Sequence, residues 1–315
     1  MTAASIEVRG LTKNYARGAP ALVDASFRYE GTGAIGYLGP NGAGKTTTLK
    51  LLTGLLRPTR GSASLNGIDV MQDRKHALAD VGAIIESPEP YPSQTVAEAI
   101  DMVGEFRGGR SPETAREIAE LNHLLDLPPL EARCGRLSKG QRQRVAIAAS
   151  LVRDPRVISL DEPTSGLDPK ERILIRNLLN VLKKDRLILM SSHLMQEVTD
   201  ICDQVIFISE GKILLRDSVE NVAVRFRTKA VDVEFATPMP IDRIRALGTV
   251  VAEVSVVGER RFRIAFDGST TARAEILRGL VGLGPVLSYQ SASLVLEDAY
   301  LALMQGENHN HVPAA

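Results

Sequence analysis

The nine residues Gly39–Thr47, GPNGAGKTT, limit this chain more than any other stretch. They match G-x-x-x-x-G-K-[ST] in full, behind the apolar run Ala34–Leu38 and ahead of a helical pattern over Thr46–Leu56. Strand, glycine loop and helix in that order make a phosphate cradle. Gly39, Gly42 and Gly44 let the backbone curl so that its N–H groups point inward at phosphate oxygens. The helix start adds its positive end. Gly39, Pro40, Asn41, Gly42, Ala43, Gly44, Lys45, Thr46 and Thr47 are therefore the expected nucleotide-binding residues. Lys45 would reach the β- and γ-phosphates, and the Thr46 hydroxyl would ligate Mg²⁺. The spacing predicts a nucleoside triphosphate as ligand.

Such a site needs a carboxylate at the end of a buried strand. Arg156–Glu162, RVISLDE, supplies two. Asp161 is placed to hold Mg²⁺ through its water shell, and Glu162 to orient or deprotonate the attacking water.

A chain of 315 residues predicts roughly two domains at about 150 residues each. Its 38 basic and 38 acidic residues cancel, which argues against a nucleic-acid partner, since that would need a basic field. Aromatics at 4%, with no Trp, also argue against a base-stacking platform. The longest apolar run considered, Val145–Val152, is far below the roughly 18 residues of a membrane span. MTAASIEVRG lacks the regions of a signal peptide. Cys134 and Cys202 are too few and too far apart for a disulfide framework or a metal clip. The expectation is a soluble protein of a reducing, cytoplasmic compartment.

Short apolar runs at Ala34–Leu38, Val157–Leu160, Leu187–Met190 and Val205–Ile208 predict buried strands. Between them, Leu174, Leu178, Val181 and Leu182, and then Leu194, Val198, Ile201 and Cys202, follow helical stripes. Ile6/Val8 and Val23/Ala25/Phe27/Tyr29 alternate with period two, as half-buried antiparallel strands do. A more helical insert spans about Val96 to Ala149. From about Ala230 the pattern changes to strands at Val231–Phe235, Val250–Val257, Phe262–Phe266 and Val286–Tyr289. Helices are expected near Ile241–Leu247, Arg273–Val281 and Leu296–Met304. The order βαββαβ predicts a small ferredoxin-like domain. The tail GENHNHVPAA, with His309 and His311, is expected to be disordered.

LSKGQ at Leu137–Gln141, followed by RQRVAIAASLVRDP and DEPTSGLD, resembles the ATP-binding subunit of ABC transporters. Ser138 and Gly140 at a helix start form a second anion site. The resemblance implies an α/β P-loop NTPase of ABC type, with a mixed-sheet core, an antiparallel β subdomain and a helical subdomain at about 90–150. This ATPase would cover residues 1–220, with the small α+β domain at 221–305 and the tail at 306–315. It also implies that Leu137, Ser138, Lys139, Gly140 and Gln141 act in trans on ATP held by a second copy. Lys139 stands where the family has glycine. Tyr15, 30 residues before Lys45, resembles the aromatic that stacks on adenine. Asp168 of SGLD resembles the D-loop aspartate, and His193 of SSHLMQEV the switch histidine.

One position departs from the family. Its usual glutamine between the lobes corresponds here to Glu86 in VGAIIESPEPYP, which keeps an oxygen for the metal but adds a charge. This acidic variant resembles the bacitracin-, daunorubicin- and lantibiotic-type export and self-resistance branch, as does the closing LEDAYLAL at Leu296–Leu303. The resemblance implies ATP and Mg²⁺ as cofactors and a head-to-tail dimer, since each motif occurs once. It also implies a separate integral membrane permease docked near Glu86–Pro92 and holding the ATPase at the inner face of the membrane. The expected cargo is a drug, a peptide antibiotic or a lipid-like substrate. The alternative is an ABC-type ATPase of translation or DNA maintenance. The first of these would normally carry two cassettes and a basic linker, and the second a long coiled coil.

Overall fold

The computed structural model describes residues 3–15, 19–86, 89–109, 111–225, 230–248 and 251–291, together with Leu296, Ala299, Tyr300 and Leu303. The chain divides into two compact units, Met1–Val219 and Glu220–Ala315.

The first unit opens with β1 (Ser5–Lys13), β2 (Leu22–Glu30) and β3 (Gly33–Leu38), then α1 (Lys45–Leu52). β4 (Arg60–Leu65), β5 (Ile68–Asp69), α2 (Arg74–Leu78) and β6 (Val81–Ile84) follow. A helical stretch comes next, with α3 (Val96–Phe106), α4 (Ser111–Leu125) and α5 (Lys139–Leu151). The unit continues with β7 (Val157–Asp161), α6 (Pro169–Leu182), β8 (Leu187–Ser192), α7 (Met195–Ile201), β9 (Gln204–Ser209) and β10 (Lys212–Ser218), and α8 (Val219–Arg225) straddles its end.

Two sheets form. One, in the order β2-β1-β4-β5, is antiparallel, and its inward residues Ile6, Val8, Ala25 and Phe27 are buried in alternation. The other runs β10-β9-β3-β8-β7-β6, parallel except for the edge strand β10. β7 and β8 are buried at every residue, which is why they read as unbroken apolar runs rather than alternating ones. One core joins both sheets and α1 through residues such as Phe27, Tyr37, Leu49 and Ile206.

In the first unit, α1 and α6 depart from the sequence expectation. α1 ends at Leu52, short of the expected Leu56, because Gly54 adopts φ +67° and the Leu55 and Leu56 N–H groups both turn back to Lys50 O. In α6 the buried stripe is Ile175, Leu178, Leu179 and Leu182, whereas Val181 is 48% exposed. Val181 lies on the helix shoulder, which shows that apolar spacing alone locates a face only to within one residue.

In the second unit β11 (Ala230–Phe235), α9 (Ile241–Arg245), β12 (Glu253–Gly258), β13 (Arg261–Ala265), α10 (Thr270–Leu283) and β14 (Val286–Ser291) follow in turn. The antiparallel sheet order β12-β13-β11-β14 is that of a ferredoxin-like βαββαβ domain. Its core includes Val233, Phe235, Phe262, Ile264, Ile276 and Leu280, with the Phe235 and Phe262 rings edge-to-face. α10 starts earlier than expected because Ser269 caps it, accepting from the Ala272 N–H. The expected closing helix falls mostly outside the described residues. Leu296, Ala299 and Leu303 are helical and buried. The tail expected to be disordered, with His309 and His311, lies outside the described residues.

Candidate active site

The glycine loop joins the end of β3 to the start of α1. Gly42 and Gly44 adopt φ +81° and +107°, a region that other residues enter only at a cost. A Cβ on Gly44 would also collide with the Ala21 carbonyl. Gly39 is required for a different reason from the backbone curl expected of it. Its φ is not left-handed, but a Cβ there would strike the Ile208 carbonyl on β9. No side chain caps α1, so its first-turn N–H groups are available to an anion. Lys45 is only 5% exposed, and its Nζ donates to Gly39 O at 2.8 Å and Pro40 O at 3.1 Å. Pro40 and Asn41 are exposed, Ala43 is buried, and Thr47 is half-buried on the first turn of α1.

The ends of β7 and β8 lie side by side, with Asp161 in register with Ser191. Asp161 Oδ1 accepts from Ser191 Oγ at 2.5 Å, and Oδ2 accepts from Thr46 Oγ1 at 2.8 Å and from the Glu86 N–H at 3.2 Å. Glu162 adopts φ +44°, a strained position of the kind found at functional sites. Its N–H donates to Ser191 Oγ at 3.0 Å and Ser191 O at 3.2 Å. Glu162 Oε1 lies 3.1 Å from His193 Nδ1 and 3.5 Å from Lys45 Nζ. A carboxylate held between an imidazole and an ammonium at the mouth of a phosphate cradle can accept a proton from water.

Glu86 reaches this cluster through its backbone. Its carboxylate turns instead to Lys50 on α1, forming an ion pair. Lys50 and Ser191 are the two residues that sequence reasoning missed. Lys50 stands four residues after Thr46, on the same helix face, and Ser191 lies two before His193. Both signals were present, but neither belongs to a motif.

The LSKGQ residues form a separate group. Ser138 caps α5 reciprocally with Gln141: Ser138 Oγ accepts from the Gln141 N–H at 3.1 Å, and Gln141 Oε1 accepts from the Ser138 N–H at 2.9 Å. Leu137 is buried. Lys139 lies over Gly166 of the SGLD loop, and a Cβ on Gly140 would come within 2.6 Å of Glu171. Asp168 caps α6, accepting from the Glu171 N–H at 2.9 Å. Among the described residues, no hydrogen bond or ion pair joins Leu137–Gln141 to Gly39–Thr47. Tyr15 is 47% exposed, with Lys13 Nζ 5.4 Å from its ring centroid. Its ring is thus available for stacking.

Thr46 and Asp161 offer hard oxygen donors, which suit Mg²⁺. Among the described residues no group of three or more His, Cys, Asp or Glu could hold a metal by itself. That donor set fits a cation that shares its shell with phosphate oxygens and water.

Both the sequence and the fold match known proteins. A family model described as ABC transporter matches residues 22–165. The Nod factor export ATP-binding protein I of Burkholderia orbicola (strain AU 1054) is 34% identical over 310 residues, covering 96% of this chain and 98% of that protein. The ABC transporter ATP-binding protein NatA of Bacillus subtilis (strain 168) is 33% identical over 222 residues, 70% of this chain and 90% of that one. Among solved structures, an ATP-binding subunit of an ABC transporter superposes with a TM-score of 0.63 at 27% identity, over 70% of this chain and 93% of that one. A dimeric bacterial ABC transporter cassette shares the fold with a TM-score of 0.63 at 24% identity, over 68% and 98%.

Proposed function

The chain belongs to the ATP-binding proteins of ABC transporters, and on that premise we propose that it hydrolyses ATP to ADP and phosphate to power export through a separate membrane permease. The observation that carries this reading is the convergence of Lys45, Thr46, Asp161, Glu162 and His193 at one end of the parallel sheet. In this reading Tyr15 stacks on the adenine, and the loop N–H groups and Lys45 bind the phosphates. Mg²⁺, held through Thr46 and Asp161, supplies charge neutralisation. Glu162 accepts the proton of the attacking water. The new O–Pγ bond forms as the bond from Pγ to the β–γ bridging oxygen breaks, and the electron pair leaves with ADP. His193 holds the Glu162 carboxylate and faces the γ-phosphate.

The separation of LSKGQ from the glycine loop supports a head-to-tail dimer, in which Ser138, Lys139 and Gly140 complete the site of the other copy and Asp168 lies at the seam. The test is light scattering of Glu162→Gln with ATP in the absence of Mg²⁺. A dimer is expected, and a strict monomer at high concentration would overturn the arrangement.

The permease is placed against the segment Glu86–Pro92. Beside it a cavity of about 210 Å³ is lined by Ala83, Ile84, Pro90, Met102, Val103 and Ala146, an apolar seat for a partner helix. Among the described residues no helix is long and apolar enough to cross a membrane. By likeness to its family, the membrane part is assigned to the partner, with this chain on its cytoplasmic face. Relatives named for Nod factor export support an exporter, while the narrower reading as the bacitracin-, daunorubicin- or lantibiotic-like branch rests on Glu86 and the closing LEDAYLAL alone. Co-purification from membranes should bring down one polytopic protein. Residues 1–220 are assigned to the ATPase and 221–305 to an appended domain, and truncation near Asn221 should leave nucleotide binding intact.

A further inference from the structure

Glu86 is held at both ends. Its backbone, at φ +64°, donates to the Asp161 oxygen that also accepts from Thr46, and its carboxylate pairs with Lys50. Lys50 sits on α1 one helical turn beyond Thr46, so α1 carries both the candidate metal ligand and the counter-ion of Glu86. A glutamine at position 86 would bring no charge. The glutamate brings a third carboxylate to a cluster that already has Asp161 and Glu162, and Lys50 supplies a cation beside Lys45 to balance it. The pair itself adds little stability, because Glu86 is 62% exposed and Lys50 26% exposed, and water screens such pairs. Its effect lies in where the charge sits.

We propose that Lys50 is a positioning residue that holds the Glu86 carboxylate away from the divalent cation and so sets the affinity of the nucleotide site for that cation. This rests on the nucleotide-binding reading above. Without Lys50, the carboxylate is released two hydrogen bonds away from Thr46, where it can swing in as an extra oxygen ligand. Hard cations such as Mg²⁺ bind more tightly as anionic oxygens are added.

The test is equilibrium binding of mant-ATP to the full-length Glu162→Gln protein, titrated with Mg²⁺, for the four combinations of Lys50 or K50Q with Glu86 or E86Q. K50Q should lower the Mg²⁺ midpoint about tenfold when Glu86 is present and less than about threefold when E86Q is present. K50R should stay within about twofold of the parent, since it keeps the ion pair. An equal effect of K50Q in both backgrounds would overturn the proposal, because it would make Lys50 a bystander charge. If K50Q does not accumulate, E86Q tests the pair from its exposed end and should move the midpoint less than about threefold while Lys50 remains, because the carboxylate is already held away; a tenfold rise would overturn the proposal, since Glu86 would then be serving the cation with Lys50 in place. Failure of the parent protein to bind mant-ATP at all would count against the nucleotide reading instead.

Discussion

The Thr46 hydroxyl donates to Asp161 Oδ2 at 2.8 Å, joining residues 115 positions apart in the chain. This bond ties the first turn of α1 to the end of β7. It brings the phosphate cradle and the acidic strand end together as one site. Everything at the site is arranged around it: Ser191 holds the other oxygen of Asp161, and Glu86 reaches the same one.

Glu162→Gln keeps the shape of the side chain but removes its capacity as a base. Phosphate release should fall by at least about a hundredfold. Mant-ATP affinity should stay within about threefold, because the loop and Lys45 are untouched. His193→Ala should lower phosphate release by a smaller factor, because the 3.1 Å contact to Glu162 positions the base without supplying it.

Ser191→Ala removes one hydroxyl with two duties, donating to Asp161 and accepting from the Glu162 N–H. The loss leaves a buried carboxylate oxygen without its partner, at a cost of about 1–3 kcal/mol. Thermal unfolding should shift down by several degrees, and turnover should fall with it.

Gly42→Ala and Gly44→Ala separate backbone strain from collision. Both residues have left-handed φ, but a Cβ on Gly42 meets nothing within 4 Å, whereas one on Gly44 strikes Ala21 O. Gly42→Ala should cost about 1–2 kcal/mol in urea unfolding. Gly44→Ala should cost more and abolish mant-ATP binding, since the N-terminus of α1 must move.

Arg107, at the end of α3, donates to Ser150 O, Val152 O and Val81 O. Burial pushes its guanidinium below the usual arginine range, against the attraction of Asp80. Arg107→Met should lower stability by about 2–3 kcal/mol, because it leaves these acceptors without a donor. Arg107→Lys should recover only part of this loss, since one ammonium cannot span the fork of a guanidinium. Urea denaturation of both variants checks the order.

Much of the fold was legible because the relevant signals are local. The alternation at Ile6/Val8 and the unbroken run at Val157–Leu160 report whether one or both faces of a strand are buried. Helix ends and faces were less legible. α1 stops at a glycine turn inside an apolar run, and α6 buries Ile175 and Leu179 where its apolar spacing marked Leu174 and Val181. At the site, Lys45, Thr46, Asp161 and Glu162 could be found because each sits in a motif whose chemistry demands it. Ser191 and Lys50 could not, because their neighbours His193 and Thr46 mark the site but not the partners that these two side chains find across the fold.

Local sequence thus dictated which side chains carry the chemistry: a glycine loop must cradle an anion, and an acid after a buried strand must face its open end. Which of them meet was decided only when the strands took their order in the sheet. That order sets Asp161 beside Ser191, Gly39 against Ile208 and Glu86 within reach of Lys50. The reason is geometric. Each of these contacts joins positions 30 or more apart in the chain, and at such separations the closing of the chain, rather than the propensity of any segment, determines what touches what.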